Sequence, residues 1–413
     1  MRRFLFLALI PLLCLAACQT SPPSPAAGPT APAVAEKSSG GVAAPPAPEQ
    51  PKTAPGRAAS ETSTPAPTST PRPTNTPAAT ATRTPTPSPS PTPAPQTRRL
   101  TDGECCSAPS WSADSSKVIY LDKPAPDAPT GYYAIDVTRP NAQPELFQSR
   151  IAQYTGDFKY ITTRGDGFAT VERVEDGKVF RINTGRCGTQ QPTGCQVNLS
   201  PDRTMVTWSV TAEATGPFEQ RHTRLWLANI DGSNPRVIAN LLSSRAGASW
   251  FPDSKRLLLS GRPGPDTQEL ILSVLDLADG SVKEMVRGER INRGQLSPDG
   301  KWLVYTIILG DDEDQNGIWL IRTDGSEKRK LPFFGPLSWR SATKILYTPQ
   351  VEAADSHTFF EYDVETGQMR ALTDPQTTPF KISFGDWALS PDGKRVVYVE
   401  ARDRNLWLLD LPN

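Results

Sequence analysis

The hydrophobic pattern of residues 98–413 consists of short alternating apolar stretches separated by turn residues. Residues 301–305 (KWLVY) and 394–398 (KRVVY) are β-branched and aromatic segments of the kind that form strands. No stretch shows sustained helical periodicity, and Asp-Gly or Pro-Asp-Gly turns lie between the segments. The pattern therefore predicts an all-β domain of antiparallel strands joined by tight turns.

One unit repeats along this region: LSPDGKWLVY at 296–305 returns as LSPDGKRVVY at 389–398. Weaker copies begin at Leu199, Ser249, Ser110 and Ser338. A degenerate copy is assigned to 164–169 (RGDGFA). The mean spacing is about 46 residues, the length of a four-stranded propeller blade. Counting every copy, the repeat predicts a seven-bladed β-propeller.

Each part of the unit has a structural reason. In Pro-Asp-Gly, Pro sets φ, Asp hydrogen-bonds the local backbone and Gly accepts a positive φ, so the turn joins two strands tightly. A third strand is predicted at 225–228, 317–321, 359–362 and 405–409. It ends in a second tight turn such as Asp324-Gly325, and a fourth short strand follows, as at 370–374.

The two ends of the repeat region predict closure of the ring. The last unit stops after its third strand, at Leu411-Pro412-Asn413. The sequence RLTD at 99–102 resembles RALTD at 370–374, a fourth strand. A final blade made from both ends would hide the edges that an open array exposes.

The Ser-Pro-Asp-Gly-Lys repeat resembles the TolB-like, WD40-like propeller family, in which Trp-Ser-Pro-Asp-Gly-Lys precedes a strand. The resemblance covers 98–413 and implies the propeller fold, but it says little about function. TolB has an additional α/β domain before its propeller, where this chain has a proline-rich segment. The envelope partner of TolB is therefore not carried over.

Composition divides the chain into two parts. Of its 43 prolines, 21 fall within 19–97, where Val34 and Val42 are the only large apolar residues. Such a segment cannot offset its ordering entropy, so it is predicted to be a disordered tether. Extended as polyproline II, it would reach up to roughly 240 Å. Dense Thr-Pro and Ser-Pro also suits a glycosylated stalk, with an unmodified spacer as the alternative.

The N-terminus predicts an exported lipoprotein. Met1-Arg2-Arg3 precedes a short apolar run, and Leu15-Ala16-Ala17-Cys18 closes it. The run is too short for a transmembrane helix and reads as a signal peptide over 1–18. Leu-Ala-Ala-Cys resembles a bacterial lipobox, which implies cleavage before Cys18 and lipid attachment to it. An ordinary signal peptide with a chance cysteine is the alternative. The expected location is extracytoplasmic, anchored in the membrane.

Loops between second and third strands are predicted to be long, at 122–131, 211–223, 260–268, 308–317 and 348–357. All lie on one face of a ring, where a binding surface would form. The alternative is that these loops are tolerated insertions without a binding role. Asp312, Asp314 and Asn316 match the first half of a calcium loop. The carboxylate at position twelve is missing, so a solvated acidic hairpin is the alternative. Together with Asp311, the loop is a candidate binding face.

Four further cysteines remain after Cys18 in the exported part: Cys105, Cys106, Cys187 and Cys195. An exported location permits disulfides, and Cys187 and Cys195 could clip the loop between them. Cys105 and Cys106 could bridge each other, pair elsewhere or stay free. Four cysteines allow three connectivities. A zinc site is a poorer fit because C-x-x-C spacing is absent.

Motifs of catalysis are absent from the sequence, which has no G-x-S-x-G elbow, no P-loop and only two histidines, His222 and His357. The propeller carries four more acidic than basic residues, so the basic footprint of a nucleic-acid binder is also missing. The predicted function is a non-enzymatic scaffold that binds an envelope protein or extracellular ligand, with no required cofactor. A propeller hydrolase of glycans or lactones is the alternative.

Overall fold

The computed structural model describes residues 95–103, 108–187, 193–211, 222–267, 269–310, 312–351 and 354–412. Nearly all regular structure in these ranges is antiparallel β-sheet. The described residues include no helix that is both long enough and apolar enough to cross a membrane. Cys18, residues 19–94 of the predicted tether, Cys105, Cys106 and Asp311 lie outside the described ranges.

The strands are numbered in chain order, beginning with β1 (Thr97–Arg99). Sheet 1 contains β2 (Ser110–Trp111), β3 (Lys117–Asp122), β4 (Gly131–Asp136) and β5 (Glu145–Gln148). Sheet 2 contains β6 (Gln153–Tyr154), β7 (Tyr160–Arg164), β8 (Phe168–Arg173) and β9 (Val179–Asn183). A separate small hairpin follows, formed by β10 (Arg186–Cys187) and β11 (Thr193–Gly194).

Sheet 3 has seven strands in chain order. They are β12 (Val197–Leu199), β13 (Met205–Thr211), β14 (His222–Asn229), β15 (Arg236–Trp250), β16 (Arg256–Arg262), β17 (Leu270–Asp276) and β18 (Val282–Gly288). The long strand β15 pairs with β14 through its first half and with β16 mainly through its second half, with a register shift between Leu242 and Gly247.

Three four-stranded sheets complete the domain. Sheet 4 contains β19 (Ile291–Leu296), β20 (Trp302–Ile307), β21 (Gly317–Arg322) and β22 (Lys328–Lys330). Sheet 5 contains β23 (Leu337–Trp339), β24 (Lys344–Tyr347), β25 (Phe360–Asp363) and β26 (Met369–Ala371). Sheet 6 contains β27 (Ile382–Leu389), β28 (Arg395–Glu400) and β29 (Leu406–Asp410), and β1 is its fourth strand.

The Ser-Pro-Asp-Gly turns form as the repeat predicts. Ser297 Oγ donates to Asp299 Oδ1 at 2.7 Å, and the same serine oxygen accepts from the Trp302 backbone N–H at 3.0 Å. Gly300 has a φ of 69°, a conformation that favours glycine. The turn therefore connects β19 tightly to β20.

The corresponding turn of sheet 2 lies at 155–158, so its assignment to 164–169 is wrong. Thr155 Oγ1 donates to Asp157 Oδ1 at 2.5 Å, as the serine of the repeat does, and Phe158 has a φ of 58°. Residues 165–167 instead form the short connection between β7 and β8. In this copy Gly156 and Phe158 stand where the clearest units have proline and glycine, and Gly-Asp-Gly at 165–167 gives a stronger turn signal nearby.

Neighbouring sheets pack through shared apolar clusters that continue around the whole ring. In ring order, the Tyr132 ring contacts the Tyr154 ring, and single clusters contain Val171 and Val206, Leu258 and Tyr305, Trp302 and Trp339, Leu346 and Tyr398, and Val397 and Trp111. The last pair joins sheet 6 to sheet 1. The sheets are thus arranged as a closed β-propeller.

The N-terminal strand β1 completes the last sheet, as the ends of the repeat predicted, although the strand lies at Thr97–Arg99 and not at the predicted 99–102. Thr97, Arg98 and Arg99 pair with Leu409, Leu408 and Trp407 in antiparallel register. Beyond the strand, the Leu100 N–H donates to Leu406 O at 2.7 Å. Both ends of the domain therefore share one sheet, and β29 has no open edge on this side.

The number of separate sheets differs from the prediction of seven blades. Besides the β10–β11 hairpin, the described chain forms five separate four-stranded sheets and one seven-stranded sheet. The difference arises at β15, where the chain continues as strand instead of breaking between two repeat units.

Candidate functional site

Connections between second and third strands are long in sheets 1, 4 and 5, as the sequence predicted. They span 123–130 in sheet 1, 308–316 in sheet 4 and 348–359 in sheet 5, whereas sheets 2 and 6 have only 165–167 and 401–405. Residues 263–269 are such a connection in sheet 3, whereas most of the predicted loop at 211–223 lies outside the described residues. Because strand direction alternates, these loops emerge on the same side of the ring as the connections between sheets. We call this side the long-loop face.

Exposed apolar side chains are concentrated on this face between sheets 4 and 5. Leu309 is 81% exposed, Val351 62%, Phe334 46% and Ile308 40%. The Gln350 N–H donates to Phe334 O at 2.9 Å, which places Val351 beside Phe334. Large apolar side chains grouped in this way on a surface typically mark an interaction site.

Three of these side chains, Ile308, Leu309 and Phe334, border an open cleft of about 830 Å³, here called the loop cleft. It is lined by residues 307–309, 316–317 and 330–334. Phe333, one of the lining residues, stacks on Tyr347 with ring centroids 3.6 Å apart, and the Tyr347 ring lies 5.5 Å from Phe360. The cleft therefore has a firm aromatic base and an apolar, solvent-facing wall.

The loop on one side of the cleft is held by its own hydrogen bonds. Asn316 Oδ1 accepts from the Gly310 N–H at 2.9 Å, and Asn316 Nδ2 donates to Gly310 O at 3.3 Å. Asp312 Oδ1 accepts from the Asp314 N–H at 3.0 Å and caps a 3₁₀ turn, Glu313–Gln315. Trp319 Nε1 donates to Gln315 O at 2.8 Å, which anchors the turn to β21.

Two of the three predicted calcium ligands, Asp312 and Asn316, form hydrogen bonds with the backbone of their own loop. The Asn316 side-chain amide closes the loop by hydrogen-bonding to the Gly310 backbone, and one carboxylate oxygen of Asp312 caps the 3₁₀ turn. Among the residues that the structure describes, no three His, Cys, Asp or Glu side chains are grouped closely enough to share a metal ion. The calcium site at Asp312, Asp314 and Asn316 gains no support and stays a prediction.

The acidic loop instead presents its charge to solvent. Asp312, Glu313 and Asp314 are exposed, and within the described ranges no ion pair joins them to a basic side chain. Lys330 Nζ reaches the loop, but it donates to the backbone oxygen of Asp314 at 2.8 Å. This bond fixes the acidic loop against the wall of the loop cleft.

A second group of polar residues lies near the ring axis in sheet 6, and the sequence offered no signal for it. Asp386 is on β27, the strand that contacts β2 of sheet 1. Burial raises the pKa of Asp386, and the positive charge of Arg404 only partly offsets this effect. Arg404 Nη1 donates to Ser383 Oγ at 2.8 Å on the same strand.

The two histidines lie apart, as their positions in the sequence suggested. His222 begins β14 of sheet 3, whereas His357 lies in the loop before β25 of sheet 5. His357 Nδ1 accepts from the Ile382 N–H at 3.0 Å. Burial, reinforced by the charge of Lys381, lowers the pKa of His357, so the side chain serves as a neutral packing and acceptor group.

Cys187 and Cys195 are joined by a disulfide, with their Cα atoms 5.0 Å apart. The bridge closes the β10–β11 hairpin, which contacts β13 of sheet 3 and β8 of sheet 2. Cys195 is 1% exposed. The bridge thus fastens the connection between two sheets on the long-loop face.

Comparison with known proteins finds similarity in structure alone. No family model matches the chain, and no curated protein matches it in sequence. An oligogalacturonate lyase in complex with manganese matches with a TM-score of 0.52 and 15% identity, over 77% of this chain and 93% of that one. The oligogalacturonate lyase from Vibrio parahaemolyticus matches with a TM-score of 0.50 and 12% identity, over 77% and 94%.

A TolB structure from Acinetobacter baumannii is also among the matches, with a TM-score of 0.35 and 15% identity, over 74% of this chain and 78% of that one. At such identities, likeness to the lyases establishes the fold and leaves the activity open. The chain is a β-propeller, the fold that its TolB-like repeat implied.

Proposed function

We propose that this protein is a lipid-anchored, extracytoplasmic propeller that binds a partner through its long-loop face. The observation that carries the proposal is the group of exposed apolar side chains at Ile308, Leu309, Phe334 and Val351. Because exposing them to water is unfavourable, they are best explained as a surface that a partner covers. The lipobox at Cys18 and the 19–97 tether suit a module held at a membrane and extended toward that partner.

The scaffold of this module is proposed to have seven blades, with sheet 3 counted as two. In sheet 1, Trp111 Nε1 donates to Ala388 O of the neighbouring sheet 6 at 3.0 Å. Within sheet 3, Trp250 Nε1 donates to Asn198 O at 3.2 Å in the same manner. A contact that elsewhere joins two blades thus occurs inside this sheet, which supports a blade boundary within β15.

Anchoring through Cys18 is tested by Cys18→Ala. The exported chain should then appear in the soluble fraction, because the substitution removes the thiol that carries the first acyl group. Fractionation and immunoblotting of wild type and variant measure the change. Retention of Cys18→Ala in the membrane fraction would show that the lipobox interpretation is wrong.

Binding by the long-loop face is tested by photo-crosslinking in intact cells. A photoreactive phenylalanine analogue replaces Leu309, Val351 or Asp127 on the long-loop face, and Val179 or Val282 on outer strands serves as the matched exposed control. Discrete higher-mass adducts are expected from the first set and not from the controls. Equal labelling from both sets would contradict the proposal.

A polysaccharide-acting enzyme is the second candidate, and Asp386 is the observation that favours it. A carboxyl group whose pKa is raised by burial near a propeller axis could serve as a general acid. The lyases that share the fold are named for oligogalacturonate. Turnover of a glycan that is lost in Asp386→Asn but kept in Leu309→Ser would favour this function over binding.

A further inference from the structure

The loop cleft and the acidic loop form one continuous surface with two chemistries. Apolar side chains at Leu309 and Phe334 stand on the cleft wall. The carboxylates of Asp312, Glu313 and Asp314 follow immediately, and the bond from Lys330 Nζ to Asp314 O holds them at the edge. A ligand that covered the apolar wall would therefore also meet negative charge.

The basic side chains nearby are already engaged elsewhere. Lys328 Nζ lies 5.0 Å from the centre of the Trp319 ring, Arg329 pairs with Glu327, and Lys330 donates to a backbone oxygen. The Asp312, Glu313 and Asp314 carboxyl groups are thus exposed and have no salt-bridge partner among the described residues. An incoming cation would gain Coulomb energy without displacing an existing ion pair.

The shape of the surface favours an extended chain over an enclosed small molecule. Small-molecule sites surround most of their ligand, whereas the wall at Leu309 is 81% exposed and the apolar surface continues past Phe334 toward Val351. An extended polypeptide can place successive side chains along such an open cleft. The stacked Phe333 and Tyr347 rings supply a rigid base for them.

A membrane surface would also cover exposed apolar side chains, but the charge argues against it. Bacterial and other biological membranes commonly carry anionic headgroups, which attract basic segments and repel carboxylates. Asp312, Glu313 and Asp314 would approach those headgroups directly if Leu309 inserted. The same three carboxylates would assist a partner that carries Lys or Arg.

Building on the proposed binding function, we propose that the loop cleft takes an extended segment of a partner protein in which large apolar side chains adjoin Lys or Arg. The apolar side chains lie over the wall formed by Leu309 and Phe334. The basic side chains reach the Asp312–Asp314 carboxylates. Apolar burial supplies the affinity, and the charges set the direction in which the segment lies.

The test uses the full chain with Cys18→Ser, so that no acyl chain contributes, and three short fluorescent peptides. The first joins Leu-Phe-Leu to Lys-Lys-Arg, the second replaces its basic residues by Glu, and the third replaces its apolar residues by Ser. Fluorescence anisotropy should detect the first peptide alone. Its affinity should fall about tenfold in Leu309→Ser or Phe334→Ser, the loss typical of an interface anchor.

The contribution of charge to binding is tested by the triple variant Asp312→Asn, Glu313→Gln and Asp314→Asn. The substitution Asp312→Asn keeps a side-chain oxygen that can cap the turn. Affinity for the first peptide should fall several-fold, and added salt should weaken wild-type binding more than binding by the variant. Val282→Ser is the apolar control. The triple variant Glu145→Gln, Glu175→Gln and Asp410→Asn is the charge control, because it removes the same charge at exposed positions elsewhere.

Any one of three binding results would overturn the inference: equal binding of the basic and acidic peptides, unchanged affinity in Leu309→Ser and Phe334→Ser, or sedimentation with anionic phosphatidylglycerol vesicles that requires Leu309. Unchanged melting temperatures show that the variants remain folded. Crosslinking at 127 without crosslinking at 309 and 351 would retain the proposed function and reject the cleft. Absence of crosslinking from the whole face would reject both.

Discussion

Replacing Glu361 by alanine should lower the free energy of unfolding by about 3 kcal/mol, the lower end for breaking a buried ion pair. The Glu361 side chain is 4% exposed, and its partner Arg340 is 9% exposed at a distance of 2.6 Å. Lys344 and Arg370 also contact the carboxylate, at 3.0 and 2.9 Å, and both can turn toward water when it is removed. Arg340 cannot, so its charge is left buried.

Arg340 also makes this site a junction between sheets. Its Nε donates to Gly393 O in the first turn of sheet 6 at 2.8 Å, and its Nη2 donates to Pro412 O at 2.6 Å. Disturbing Arg340 therefore weakens the packing of sheet 5 on the sheet that closes the ring. Urea unfolding of wild type and Glu361→Ala measures the loss.

A matched control is Glu284→Ala. Glu284 pairs with Arg287 at 2.7 Å, but both side chains are more than 40% exposed. Removing such a surface pair should cost less than about 1 kcal/mol. Equal losses in Glu284→Ala and Glu361→Ala would contradict the role assigned to burial.

The same network predicts a pH dependence. Burial by itself would raise the pKa of Glu361, but hydrogen bonds from Arg370 and Lys344 and the charge of Arg340 outweigh burial and lower it. A carboxylate with a lowered folded-state pKa stabilises fully above its unfolded value of about 4.3, and the contribution disappears as pH falls through the folded value. The difference between wild type and Glu361→Gln should therefore shrink below about pH 4.

Deleting residues 98–102 should destabilise the whole propeller, whereas deleting residues 20–90 should leave its melting temperature unchanged. The first deletion removes two of the three paired residues of β1 together with Leu100, which packs in the cluster between sheets 6 and 1. It also removes Thr101, whose hydroxyl accepts from the Leu406 N–H at 2.9 Å. Several hydrogen bonds at about 1 kcal/mol each, plus apolar contacts, make a loss of several kcal/mol.

The edge of β29 explains why the loss should spread beyond one sheet. Without β1, the Leu408 and Leu409 backbone groups lose their ladder partners, and the cluster that joins sheet 6 to sheet 1 is opened. A propeller whose first and last sheets separate loses closure around the ring. Thermal unfolding of both truncations provides the measurement, and equal melting temperatures would refute closure by β1.

Local turn chemistry explains which parts of the fold could be read from the sequence. At Ser297 the hydroxyl, the aspartate and the glycine all favour one turn, so the strands on both sides were placed correctly. At Thr155 only the hydroxyl and the aspartate remain, and Phe158 accepts a positive φ because the surrounding sheet compensates for it. Agreement between several local signals made the turn at Ser297 predictable. At Thr155 fewer signals agree, so that turn was not recognised from the sequence.

The candidate site, like the turns, could be predicted from the sequence only in part. The acidic residues from 311 to 314 are contiguous, so the sequence showed them as a group. The loop cleft joins residues 307–309 to 330–334, which only the pairing of β20, β21 and β22 brings together. Asp386 likewise gave no signal, because the shift in its pKa depends on burial in the folded chain.

The sequence by itself determined the all-β class, the propeller repeat, the pairing of both ends of the repeat region in one sheet and the face that carries the long loops. These features follow from local rules of turn formation and strand alternation, repeated often enough to be unambiguous. Only the tertiary structure decided that β15 continues through two repeats and that Leu309 and Phe334 line one cleft. It also decided that Glu361 forms ion pairs with three basic side chains. Those outcomes depend on which surfaces meet when the sheets pack, and burial acts through neighbours that no local pattern identifies.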